Sequence, residues 1–186
     1  MKTKQHPLWF RALAAFMAAL VVAVSTPTVY AVDTQALPEN TRAATGFTHT
    51  ALVTWDDLNN NGDLQTVTVQ LGAIPTNCYI DRIGFNVEQV FTNATAASTN
   101  LCLALGVGGS TNRFYQTNYI DGGYGGAGGR SPQAYVTNLL VPYFATTSTN
   151  YVIASFVDGA NTSTVDDYTY GKIRIFWRLV QPSKIK

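Results

Sequence analysis

The chain has 186 residues, the length of a single domain, and only 12% of them are charged, about half the usual share in globular proteins. Lys and Arg number 12 and Asp and Glu number 11, so the net charge is +1. This balance argues against a nucleic-acid-binding protein, which carries a basic surplus, and against a disordered chain, which has high net charge and few aromatic residues.

The first 31 residues contain the parts of a secretory signal peptide in order. Basic residues precede an uninterrupted apolar run at 12–24, and Val29-Tyr30-Ala31 places small residues at positions −3 and −1 of a cleavage site. The apolar run is shorter than the roughly 20 residues that span a bilayer. Two interpretations remain open. The leader is cleaved after Ala31, or residues 1–31 stay attached as a hydrophobic anchor or arm, which would touch a membrane only through 8–24.

Residues 32–47 show neither a helical nor a strand period, and they predict an extended arm or linker. Residues 48–186 instead consist of short runs rich in Val, Ile, Thr, Tyr and Phe, separated by turn residues. The pattern predicts one all-β domain, an antiparallel β-sandwich of the jelly-roll type with about eight strands and no amphipathic helix. The predicted strands are 51–55, 64–71, 79–91, 101–107, 113–116, 134–141, 151–157 and 172–180. The expected core residues are Phe85, Val87, Leu103, Leu105, Ile175 and Trp177.

A weak calcium site is one interpretation of the first polar turn. Oxygen-bearing residues alternate before and after Gly62, as in the first half of a calcium-binding loop. The twelfth position is Thr68 where such a loop has Glu, and Asn-Gly is also a standard hairpin dipeptide. A polar turn between two strands therefore explains the same residues. The candidate ligands are Asp57, Asn59, Asn61 and Asp63.

A glycine-rich segment at 122–129 is the strongest compositional anomaly of the chain. A phosphate-binding loop would continue with Lys-Ser or Lys-Thr, whereas this segment continues with Arg130-Ser131-Pro132. The segment is therefore expected to be a surface loop between strands, and its functional interpretation is a loop that contacts a partner. The residues of this contact loop are Tyr119, Gly122, Gly123, Tyr124, Gly125, Gly126 and Arg130.

The sequence predicts no active site and no confident metal or cofactor site. His49 is the only histidine outside the leader, and no Gly-x-Ser-x-Gly motif is present. Adjacent Asp residues at 56–57 and 166–167 are more typical of turns than of a glycosidase carboxylate pair. Cys78 and Cys102 lie in different predicted strands. In a secreted chain they could form a disulfide if the geometry allows it, whereas in a cytosolic chain two buried thiols are expected.

The segment from Val53 to Tyr115 resembles β-sandwich structural proteins of tailed-phage virions. The matching stretches are Leu71-Gly72-Ala73-Ile74-Pro75, Ile80-Asp81-Arg82-Ile83 and Gly108-Gly109-Ser110-Thr111-Asn112-Arg113-Phe114. The resemblance covers about a third of the chain and includes no catalytic signature.

This resemblance implies a non-enzymatic virion protein that decorates the capsid or another virion surface. Its partners would be further copies of itself, with a trimer favoured, and a major capsid or other virion protein. The leader favours an alternative, an exported bacterial surface or extracellular protein such as an adhesin, a glycan-binding module or a filament subunit. A retained hydrophobic arm buried in the assembly would reconcile the leader with the virion.

Overall fold

Ten strands make up most of the structure, a computed structural model that describes residues 29–59, 66–93, 101–117, 120, 134–145, 147–158, 165 and 168–182. The strands are β1 (Val29–Ala31), β2 (Thr34–Ala36), β3 (His49–Thr54), β4 (Thr66–Ile74), β5 (Tyr79–Asn93), β6 (Leu101–Val107), β7 (Ser110–Thr117), β8 (Ala134–Phe144), β9 (Asn150–Asp158) and β10 (Tyr168–Val180). Two short helices are described, α1 (Glu39–Thr45) and α2 (Trp55–Asn59).

The strands form two five-stranded sheets, ordered β1-β4-β9-β6-β7 and β2-β3-β10-β5-β8. Without β1 and β2, eight strands remain, and numbered along the chain their orders are 2-7-4-5 and 1-8-3-6. Successive strands thus alternate between the sheets except at the β6–β7 hairpin, which is the topology of a jelly roll. The predicted all-β sandwich is confirmed.

All eight predicted strands are present, and most extend a few residues beyond the predicted ends. Their alternating pattern sends one set of side chains between the sheets, as in β4, where Val67, Val69 and Leu71 are buried. The six predicted core residues are all buried. The periodicity was sufficient here because a sandwich buries one face of each strand.

The predicted extended arm is wrong in part, because β2 and α1 lie within residues 32–47. Helix α1 ends at Gly46, whose φ of 74° lies in the left-handed region that glycine adopts easily. The Arg82 guanidinium on β5 donates a hydrogen bond of 2.9 Å to the carbonyl of Thr45, and its charge lies 4.8 Å from the Phe47 ring centroid. These tertiary contacts hold a helix too short to be stable alone.

Candidate interaction surface

Most of the predicted site residues lie outside the described residues. This is so for the contact loop, that is Tyr119, Gly122, Gly123, Tyr124, Gly125, Gly126 and Arg130, and for the calcium candidates Asn61 and Asp63. The leader up to residue 28 lies outside them as well. These predictions stay predictions.

The two described calcium candidates lie in helix α2. The Asp57 carboxylate accepts hydrogen bonds from the backbone N–H of Thr54 at 2.7 Å and from its hydroxyl at 2.8 Å. This arrangement caps the first turn of α2, because the third helical residue reaches back to the residue that precedes the helix. Within the described ranges, no group of three or more His, Cys, Asp and Glu could hold a metal ion. The structure therefore gives Asp57 a structural role.

Cys78 and Cys102 do not form the possible disulfide in this structure. Cys78 is buried just before β5, which belongs to one sheet, whereas Cys102 lies in β6 of the other sheet and is partly exposed. The prediction of two buried thiols therefore agrees for Cys78 and only in part for Cys102.

The side of the sandwich bounded by edge strands β7 and β8, here called the open side, carries exposed apolar residues. On β8, Val136 is 51% exposed, Val141 72% and Phe144 50%. Strand β8 pairs with β5 at both ends, but residues 139–142 lie opposite the single residue Asp81. Such a bulge bends an edge strand and turns its side chains outward. Sequence periodicity could not reveal this exposure because the bulge breaks the alternation.

Beside the bulge, a cavity of about 390 Å³ lies between β7 and β8, lined by Arg113, Phe114, Thr137, Asn138, Leu139 and Val141. The Arg113 guanidinium lies 5.1 Å from the centroid of the Tyr143 ring, and Phe114 meets the same ring edge-on at 6.3 Å. Arginine and aromatic side chains around an apolar centre are typical of the residues that dominate binding energy at protein interfaces.

The opposite side of the sandwich is closed by residues 29–36, here called the strap. Its strand β1 pairs in parallel with β4 of one sheet, and its strand β2 pairs with β3 of the other. The backbone N–H of Val32 donates to the carbonyl of Gln70 at 3.1 Å, and the Thr34 hydroxyl donates to the carbonyl of Leu71. The strap thus joins both sheets, and residues 29–36 show no strand periodicity that would have predicted it.

Two ion pairs lie on the described faces of strands β5 and β10. Arg178 makes two hydrogen bonds of 2.6 Å to Asp81, which raise the pKa of its guanidinium, and Arg174 pairs with Glu88. A polar cavity of about 630 Å³ beside the strap includes Arg174 and Asp57 in its lining. Both of these groups already have partners, and Asp33 is the further charged residue of the lining.

A third cavity, of about 490 Å³, lies near the strap, and both His49 and Cys78 line it. Burial lowers the pKa of His49, and the charge of Arg42 lowers it further, so the imidazole is neutral at pH 7. The ring stacks on Trp177 with centroids 5.6 Å apart, and its Nδ1 lies 2.8 Å from the Thr48 hydroxyl. These contacts give the imidazole a structural role.

No protein-family model matches the chain, and no curated protein matches it significantly in sequence. Neither helix in the described ranges has the length and apolar character needed to cross a bilayer.

Proposed function

We propose that this protein is a non-enzymatic structural protein of a phage virion, which self-associates and decorates or stabilises the capsid surface. Its jelly-roll topology is one that viral capsid domains use. Lectin domains and cupins share the fold, so the fold alone does not choose between these functions. The resemblance of residues 53–115 to tailed-phage virion proteins supports the role of a virion protein.

The observation that carries the self-association is the apolar β8 edge on the open side. Val141 is exposed and lines the cavity with Arg113 and Phe114, and Phe144, whose ring packs on Tyr79, is exposed farther along β8. The bulge at 139–142 and Pro142 oppose pairing of β8 with another strand, so a partner would dock on side chains. We assign this surface to a second copy of the chain or, once assembled, to the capsid.

The charge distribution supports the same role. Pairs such as Arg178 with Asp81 are satisfied within one chain, and the described β8 residues include no charged side chain. Burying the β8 side chains therefore brings no charge into the contact, and isolated ions are the expensive groups to bury. Arg113, which lines the adjoining cavity, lies 5.1 Å from the centroid of the Tyr143 ring.

The strap favours the interpretation as a virion protein over the interpretation as an exported protein. Cleavage after Ala31 would remove Val29-Tyr30-Ala31, which form β1 and pair with residues 68–70 of β4. A retained N-terminal segment fits a protein that assembles inside the cell and is located in the virion. The exported extracellular protein, whether adhesin, glycan-binding module or filament subunit, is supported by the composition of the leader.

A double substitution on β8 tests the self-association. We expect Val141→Asp with Phe144→Asp to weaken the oligomer about tenfold or more, because two charges would enter its apolar centre. Sedimentation velocity across a concentration series measures the change, and circular dichroism verifies the fold. The matched control is Tyr170→Asp, since Tyr170 is 52% exposed on β10, away from the open side. A monomeric unmodified protein, or equal weakening by the control, would contradict the proposal.

A further inference from the structure

Strand β4 would be an unprotected sheet edge without the strap. Its nine residues, Thr66–Ile74, include no charge and no proline, and the stretch 66–70, which precedes a register shift between Gln70 and Gly72, alternates regularly in burial. Proteins usually protect edge strands with charges, prolines, bulges or a covering segment. The other long edges have such devices, with Arg113 on β7 and Pro142 on β8. Strand β4 therefore depends on a covering strand, and β1 is the strand that provides it.

The strap contacts the two sheets by backbone pairing, with Val32 packed against the core and the Thr34 hydroxyl bonded to Leu71. Strand β1 pairs with residues 68–70, and β2 pairs with residues 49–51. All three residues of β2 are exposed, and Ala31 of β1 is exposed as well. A strap from any copy of the chain could make the same contacts, so its exchange between copies would cost little contact energy.

We propose that the edge of β4 is a strand-binding site that accepts the strap of a second copy of this chain. The hinge would be Leu37 and Pro38, since Pro38 is exposed and extended, with ψ of 151°, directly before helix α1. The exchange rests on the proposed self-association and uses the side of the sandwich opposite β8. The two contacts can therefore act in one assembly without competing.

The chain that precedes the strap favours a second copy as the occupant. Residues 1–28 come before β1, and four residues separate the end of their apolar run from Val29. An uncharged run of this kind is stable in water only when other apolar surface covers it. In an exchanged assembly, a neighbouring copy can supply that apolar surface.

Disulfide trapping across the β1–β4 pair tests the exchange. Ala31 and Gln70 are direct partners in the register and can be replaced by cysteine in a chain with Cys78→Ala and Cys102→Ala. An Ala31→Cys chain and a differently tagged Gln70→Cys chain are made together by cell-free synthesis without membranes, so that the leader is retained. We expect a disulfide-linked dimer of the two chains under oxidising conditions.

The matched control pairs Ala31→Cys with Thr92→Cys, because Thr92 is exposed on β5 and pairs with β10. This mixture should give no linked dimer. A double variant with both Ala31→Cys and Gln70→Cys reports pairing of the strap within one chain. If this variant forms its disulfide only within one chain, and the mixture of the Ala31→Cys and Gln70→Cys chains stays unlinked, the strap is not exchanged. Sedimentation of the same samples separates the two proposals: an unlinked oligomer overturns the exchange alone, whereas a monomer overturns the self-association.

Discussion

Replacing Trp177 with alanine should lower the free energy of unfolding by about 3–5 kcal/mol, the range for large buried aromatic residues. Trp177 is 1% exposed, lies in the C-terminal third of β10 and stacks on His49. It also reaches the other sheet, because a Cβ at Gly72 of β4 would lie only 2.7 Å from its ring. The cavity that Trp177→Ala leaves would therefore weaken the packing of both sheets and of the part of β4 that pairs with the strap.

Urea unfolding followed by fluorescence and circular dichroism measures this loss. The matched control is Lys172→Ala on the same strand, since Lys172 points to solvent and its loss should change stability by less than about 0.5 kcal/mol. A Trp177→Ala loss below about 1 kcal/mol would show that the ring does not hold the two sheets together.

Gly106→Ala should be the most damaging small substitution, with a loss of about 3 kcal/mol or more, or failure to fold. An added Cβ would lie 2.1 Å from the carbonyl oxygen of Ser110 and 2.6 Å from the carbonyl of Thr111. Both are backbone atoms of the β6–β7 hairpin, so no rotamer change can relieve the overlap. The hairpin register, already irregular between Leu105 and Val107, would have to shift.

Gly108→Ala in the same hairpin is the matched control. Its Cβ would meet the end of the Asn150 side chain, which can shift by giving up side-chain hydrogen bonds and leaves the backbone in place. Thermal unfolding should therefore show a much smaller change for Gly108→Ala than for Gly106→Ala. Equal losses would mean that the close approach at Gly106 is not what fixes the hairpin.

The eight strands of the jelly roll could be predicted because their alternation directly reflects burial on one face. The strap could not, since the three residues of β1 are held by pairing with residues 68–70, about forty positions away. Locally, Val29-Tyr30-Ala31 shows only the pattern of a cleavage site. Helix α1 was missed for a similar reason, because contacts of Arg82 and Phe47 stabilise it from outside its own sequence.

The candidate surface was only partly accessible to prediction. The sequence placed a strand at 134–141 but could not show that its middle bulges and exposes Val141. The calcium motif shows the opposite limit, since Asp57 matched the spacing of a ligand but its carboxylate caps helix α2. Spacing identifies which residues could share a site, and only the fold shows which contacts they already make.

We infer that residues 29–31 form strand β1 in a mature virion protein. The intact mass of the protein, taken from its natural source, tests this claim most directly. We expect the full chain of 20.1 kDa, copurifying with assembled particles. A mature protein that begins at Val32 and is found outside particles would contradict the account, because β1 would then be absent and export would be the better explanation.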